Sequence, residues 1–365
     1  MTFSYQGIYI EPSQKDTPVA KQLRSIFPEK ILTEFPQIDT YLDGKKFLAV
    51  LPPKGEFLRR CASFSEDYCC CGIHVLSTVS QCPFSCTYCF LQNYLNNPIT
   101  YVIGDLDQVI REVKTKAALE PEKFFRIGTW ELGDSLVLEP LTNQASFLIN
   151  GLKDVKNVFL DFRTKSDQVD ALLLIDHKQK VVLSWTLNPE AVIKKEEIGT
   201  ASLEARIKAM QKAADHNYWL SLHFDPMIIH DNWEQNYQDL IQQVFDHINL
   251  KKVLWISIGS LRFNPEMKAI IRENQPKTKI IFEEMVAGQD HKMRYAKPLR
   301  IKLYQNLYQA IVGHPKWQAL KESERPLLYL CMERPDMWDK IFGYHPKEDF
   351  DLVFKNFCTQ NFLNT

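Results

Sequence analysis

No stretch of the 365 residues approaches the ~18 uncharged apolar residues that a membrane span needs. The opening residues, Met-Thr-Phe-Ser-Tyr-Gln-Gly, carry no basic region followed by an apolar one, so no secretory signal is read there. Excess charge of either sign is missing too: the formal net charge is −1 and the pI is about 6.8. No global basic field advertises a polyanionic partner, and any nucleic-acid contact has to come from a local patch. The cysteines do not read as a disulfide framework, because nine is an odd number and Cys69, Cys70 and Cys71 are adjacent. A reducing, cytoplasmic setting is expected. There is no internal repeat, no low-complexity segment and no Gly/Ser/Pro-rich linker. What remains is an ordinary globular composition, 45% hydrophobic and 24% charged, long enough for one large domain or two smaller ones.

Against that background one run stands out. Cys82-Pro-Phe-Ser-Cys86-Thr-Tyr-Cys89 has the spacing C-x3-C-x2-C. Three thiolates this close can ligate three irons of a [4Fe–4S] cluster and leave the fourth iron without a protein ligand. An iron left open in this way can bind a substrate or cofactor directly, and Tyr88 can pack against whatever it holds. The alternatives are a zinc knuckle or a chance group of buried thiols. Zinc takes four ligands in a closed tetrahedral site, usually from C-x2-C pairs, and no partner pair follows here. The triplet resembles the signature of the radical S-adenosylmethionine superfamily.

Short β-rich runs alternate with helical patterns downstream. Strands are expected at 72–78, 124–129, 158–163, 181–186, 218–224 and 253–258. Helices are expected near 105–118, 143–152, 166–174, 202–214, 233–247 and 265–274. Six βα units in a row imply parallel strands with right-handed crossovers, too few for a closed eight-stranded barrel. The fold class is therefore α/β, a partial (β/α)6 TIM-type barrel, which the resemblance to radical S-adenosylmethionine enzymes also implies. Residues 72–279 would form this barrel. Residues 1–71 would be an N-terminal extension packed on it, and 280–365 a C-terminal extension able to act as a substrate-binding cap. Active-site groups belong at the carboxyl ends of the strands.

Each strand end carries candidates. The second ends in Gly128-Thr-Trp-Glu131-Leu-Gly-Asp134-Ser135, where small residues let backbone approach a ligand. The superfamily resemblance implies that Glu131, with Asp134 and Ser135, holds the amino group of the methionine moiety. Trp130 stands where a further glycine is usual, and Asp134 and Ser135 would equally serve as helix caps. After the third strand, Lys165 is a compact cation suited to the methionine carboxylate, or a solvated lysine beside the N-cap Ser166. Ser184 or Asn188 at the end of the fourth strand would bind the adenosine ribose. The fifth ends in Asp225-Pro226, also a turn signal. After the sixth, Arg262 would hold a substrate phosphate or make a surface ion pair. The densest basic patch holds Lys292, Arg294, Lys297, Arg300 and Lys302, with Tyr295 among them. Such interleaving suits a nucleic-acid strand, although a charge run is usually a solvated face.

The ordered set Cys82…Cys86-Thr-Tyr-Cys89-Phe-Leu-Gln92, Gly-Thr-x-Glu131-x-x-Asp-Ser135, Thr164-Lys165-Ser, Ser184-Trp-x-Leu-Asn188, Phe224-Asp-Pro-Met227, Gly259-Ser-Leu-Arg262 and Lys292-Met-Arg-Tyr295 resembles the spore photoproduct lyase family. The resemblance spans about residues 60–340. It implies a [4Fe–4S] cluster and S-adenosyl-L-methionine as cofactors, and a reductant such as flavodoxin or ferredoxin as partner. It also implies a 5′-deoxyadenosyl radical that takes hydrogen from C6 of a 5-thyminyl-5,6-dihydrothymine lesion in DNA. Fragmentation of the methylene bridge and return of hydrogen then restore two thymines. Substrate contacts would come from Arg262 and Arg294. The pattern departs from the family in two places. The hydrogen-donating cysteine after strand two is absent, with no cysteine between Cys89 and Cys331, and the tyrosine after the last cluster cysteine is Phe90. Tyr295 and Cys331 are the candidates to return hydrogen, Cys331 having apolar neighbours that also fit a core thiol. Cys69, Cys70 and Cys71 would diverge if they lay on a strand, which favours a structural role over a second metal site. Two alternatives stay open: radical chemistry on RNA or a small molecule, and a non-catalytic iron–sulfur or zinc protein.

Overall fold

The computed structural model describes residues 4–61 and 67–346, so the last nineteen residues of the expected C-terminal extension lie outside the description. Runs such as Val-Val-Leu-Ser-Trp-Thr are buried along their whole length, as strands covered on both faces must be. Six strands lie side by side in chain order: β1 (His74–Leu76), β2 (Phe125–Gly128), β3 (Val158–Thr164), β4 (Val181–Thr186), β5 (Trp219–Met227) and β6 (Val253–Ser260). Every neighbouring pair is parallel. A seventh parallel strand, β7 (Leu327–Leu330), adds to β6. Leu58–Arg60 closes the other edge antiparallel to β1.

This eight-stranded sheet is curled into a partial barrel. Arg126 on β2 places its guanidinium carbon 4.1 Å from the ring centroid of Trp255 on β6. Four strand spacings of ~4.8 Å would put those residues ~19 Å apart in a flat sheet, so the sheet must bend toward itself. Inside the curve a chain of buried polar groups is paired. Arg126 donates to Asp161 at 2.7 Å, Asp161 accepts from Ser184, and Ser184 lies 2.6 Å from Ser221.

Helices pack outside through apolar stripes. Asp105 caps Leu106–Leu119, which buries Val109, Ile110, Val113 and Ala117. Ser202 caps Leu203–Asp215, and Trp233–His247 buries Tyr237, Leu240, Ile241, Val244 and Phe245. Residues 166–174 form no helix. Val169 and Leu172 are both fully buried, and the segment closes isolated turns, Val169 to Asp167 and Leu172 to Val169.

A second sheet runs Ile31–Leu32, Gly7–Ile10, Phe47–Leu51, Thr100–Ile103, Val79–Ser80. Its last two strands flank the cysteine run in sequence. That run is therefore tethered at both ends to the second sheet while it crosses the mouth of the first.

Candidate active site

A cavity of about 480 Å³ opens at the carboxyl ends of the parallel strands. Cys82, Cys86 and Cys89 all line it, and three contacts fix their loop. Lys45, buried, donates to the carbonyl oxygens of Cys82 and Phe84 at 2.6 Å each. Ser85–Cys86 pairs antiparallel with Glu197–Ile198. Thr87 N donates to Glu196 O at 2.8 Å. Burial pushes the Cys82 thiol well up, with Asp134 adding to it, and pushes Cys86 up to about 12. A thiol that ligates a metal does so as the thiolate, its proton displaced on binding. No three His, Cys, Asp or Glu side chains among the described residues are spaced to grip a single metal ion.

Tyr88 lines the cavity with its ring, while its hydroxyl donates to the buried carboxylate of Glu197. Glu197 is held in turn by Arg206 at 2.6 Å and Asn188 at 2.9 Å. Burial works against the Glu197 charge, yet Arg206, Lys165 and these hydrogen bonds hold its carboxyl below the ordinary range.

The loop after β2 brings Trp130, Glu131 and Asp134 to the cavity. Glu131 has φ +101°, a conformation that non-glycine residues adopt at a cost and that clusters at functional sites. The Trp130 indole folds back into the space a side chain at Gly128 would occupy: an added Cβ there would lie 2.5 Å from Nε1. Asp134 is spent on the scaffold, accepting from the backbone of Leu136, Val137 and Lys165 and from the Thr164 hydroxyl. Ser135 does not line the cavity, because its hydroxyl accepts from Arg163 N and so clamps the loop to β3. Lys165 does line it, with Nζ 5.6 Å from the Tyr88 ring centroid and no salt bridge among the described residues.

At the ends of β5 and β6, Asp225 receives Arg262 at 2.9 and 3.2 Å, and Arg163 approaches to 3.9 Å. Burial opposes the Asp225 charge, but Arg262 and then Arg163 keep its carboxyl depressed. Arg262 also donates to the Cys331 sulfur at 3.4 Å. Cys331 follows β7 and lines the cavity, and its thiol donates to Asp225. Burial, reinforced by Asp225, keeps this thiol protonated.

Several sequence candidates fall elsewhere. Ser184 is fully buried in the polar chain under the sheet, bound to Asp161 and Ser221, and does not reach the cavity. Asn188 is likewise fully buried and donates to Glu197. Tyr295 is fully buried, its hydroxyl accepting from Ile229 N. Arg294 is also buried, bonded to Asp290 and laid over the Tyr68 ring at 4.9 Å. The basic patch turns these two side chains inward.

The sequence reading missed Lys45, Glu197 and Cys61, and it favoured a structural role for Cys69, Cys70 and Cys71. Cys69 N donates to Glu333 O in an isolated bridge. Cys70 and Cys71 then both line the cavity instead of diverging, because they lie in irregular backbone before Gly72 (φ +66°) and not in a strand. The neighbouring Cys71 and burial raise the Cys70 thiol, while Cys70 and then Arg126 lower Cys71 against its burial. Cys61 completes this wall.

Comparison with known proteins places this arrangement. A family model described as spore photoproduct lyase matches residues 59–310. The spore photoproduct lyase of Bacillus subtilis (strain 168) is 27% identical over 335 residues, 87% of this chain and 94% of that protein. The one from Geobacillus sp. (strain Y412MC61) is 28% identical over 215 residues, and the match covers 58% of this chain and 63% of the relative. Among solved structures, a cysteine-to-alanine spore photoproduct lyase with dinucleoside spore photoproduct superposes with a TM-score of 0.78 at 22% identity, covering 90% of this chain and 100% of that one. A double mutant with bound AdoMet and the same dinucleoside gives 0.77 at 22% identity, covering 90% and 99%. These two likenesses establish the shared fold.

Proposed function

This chain belongs to the spore photoproduct lyase family, and from that premise we propose that it is a radical S-adenosylmethionine lyase that directly repairs a thymine-dimer-type photoproduct in DNA. The observation that carries the reading is the convergence of Cys82, Cys86 and Cys89 with Glu131 and Lys165 on one cavity at the strand ends. The named relatives support the substrate, since solved family members hold AdoMet and dinucleoside spore photoproduct.

Cys82, Cys86 and Cys89 would hold a [4Fe–4S] cluster, one thiolate to an iron. Lys165, without a salt bridge among the described residues, offers its ammonium to the carboxylate of S-adenosylmethionine, and the strained Glu131 offers a carboxylate to its amino group. When bound, the cluster and S-adenosylmethionine supply the 5′-deoxyadenosyl radical that begins the reaction. The protein's own task is to exclude water and fix positions. Phe84, Tyr88, Leu91 and Trp130 give the cavity apolar walls. Cys331, held between Arg262 and Asp225 with its hydrogen retained, is the side chain that would return hydrogen to the substrate. Cys70 is a second protonated thiol on the same cavity. A reductant of the flavodoxin or ferredoxin class would provide the electron.

The test is anaerobic reconstitution with iron and sulfide, followed by dithionite, S-adenosylmethionine and a photoproduct-containing dinucleotide. Recovery of thymine supports the proposal. Formation of 5′-deoxyadenosine while the lesion persists would retain the radical chemistry and reject the substrate.

A further inference from the structure

The cavity is lined by four cationic side chains, Arg163, Lys165, Arg262 and Lys292. The two arginines share Asp225. Lys165 sits on the cluster side, over Tyr88. Lys292 has neither a salt bridge nor a hydrogen bond to its ammonium among the described residues. In this it differs from every other member of its basic patch: Arg294 pairs with Asp290, Lys297 with Asp336, Arg300 with Glu333 and Lys302 with Glu234.

The backbone around Lys292 is nonetheless fixed. Its N–H donates to Asp290 Oδ1 at 3.3 Å, and its carbonyl accepts from Gly288 N at 2.8 Å and Arg294 Nη1 at 3.2 Å. His291, with φ +60°, closes the turn before it. The following strand, Met293–Tyr295, pairs with Arg262–Phe263, which sets Lys292 beside the cavity residues Phe263 and Asn264. Burial and then the charge of Arg262 lower the Lys292 pKa. An anion arriving at this ammonium would offset both effects.

We propose that Lys292 receives the phosphodiester joining the two damaged nucleotides, so that the cavity reads its substrate as a nucleotide and not only as a pair of fused bases. The inference rests on the photoproduct reading above. A lysine is a compact, strongly hydrated point charge that suits a phosphate carrying a single negative charge. With its carboxylate partners taken up elsewhere, Lys292 loses no ion pair on binding.

The experiment measures binding to the reconstituted, unreduced holoenzyme, where no turnover occurs. Two probes are compared: the photoproduct dinucleotide with its phosphodiester, and the dinucleoside without it. Wild type should bind the dinucleotide about tenfold more tightly, the effect of one charge-assisted hydrogen bond. Lys292→Gln should erase that preference, leave dinucleoside affinity unchanged and reduce the salt slope of dinucleotide binding by about one. Lys292→Arg should restore part of it while preserving the hairpin. S-adenosylmethionine affinity should be the same in all three, which separates a substrate phosphate from the methionine carboxylate as the anion. A tenfold preference surviving in Lys292→Gln, or equal wild-type affinity for both probes, would overturn the inference and leave the repair reading intact. Failure of wild type to bind either probe would overturn both.

Discussion

Lys45 Nζ stands 2.6 Å from the carbonyl oxygen of Cys82, and its second such contact, to Phe84, spans the start of the cysteine run. A buried ammonium thus holds the loop that must present three sulfurs to one cavity. Burial lowers the Lys45 pKa, the cysteines opposing that shift when charged. Lys45→Met removes these two charge-assisted hydrogen bonds, of about 1.5–3 kcal/mol each, and a third to Gln81 Oε1 at 3.3 Å. The variant should unfold at lower denaturant and, after anaerobic reconstitution, retain less than about half the wild-type iron and sulfide if the loop loosens as these energies imply. Unchanged iron content would show that the loop holds its shape without the lysine.

Gly128 and Trp130 make a second test. An added methyl at Gly128 would meet the indole nitrogen at 2.5 Å and Ile73 at 2.9 Å. Gly128→Ala should cost about 1–3 kcal/mol as an overpacked site. It should also displace Trp130, over which Arg163 lies at 5.2 Å, and with it the adjoining Glu131. Weaker S-adenosylmethionine binding, read by calorimetry, is the expected consequence. A loss of stability with unaltered binding would separate Trp130 from the cofactor site.

The pH dependence follows from Glu197. Its folded carboxyl lies below the ordinary value, so the unfolded chain takes up a proton first as pH falls. The stabilisation is fully present above the unfolded pKa of about 4.3 and is lost as pH drops through the folded value. Glu197→Gln should therefore lose about 3–5 kcal/mol at neutral pH by stranding the buried Arg206. Its stability curve should fall less steeply than wild type below about pH 5. Parallel curves would mean that the pair does not titrate with unfolding.

The cavity thiols divide by product. Cys331→Ala should leave iron content and 5′-deoxyadenosine formation near wild type while thymine recovery drops at least about tenfold, the size of one lost step in transition-state stabilisation. Cys70→Ala tested in parallel identifies the donor. Full repair by both variants would assign hydrogen return to another group.

The cysteine run and the six core strands were legible because their signals are local. C-x3-C-x2-C is a spacing, and runs such as 181–186 and 253–258 are mostly apolar. The seventh strand was not read, although Leu327-Leu-Tyr-Leu330 is an apolar run directly before Cys331, because four residues alone do not declare a partner. Lys45 and Glu197 act on the cysteine loop from 37 residues before Cys82 and 108 after Cys89, a relation that only the tertiary fold creates. The basic patch illustrates the opposite difficulty. Its charge density was plain, but which side chains face carboxylates and which face the cavity depends on the hairpin at 285–295.

Repair itself is tested most directly by the thymine restored within a photoproduct-bearing oligonucleotide, quantified by chromatography and mass spectrometry after digestion of the strand, against the Cys89→Ala variant under reducing, anaerobic conditions with S-adenosylmethionine. The reading given above requires thymine from wild type and none from Cys89→Ala. An intact lesion in both reactions, with 5′-deoxyadenosine accumulating only in wild type, would contradict it.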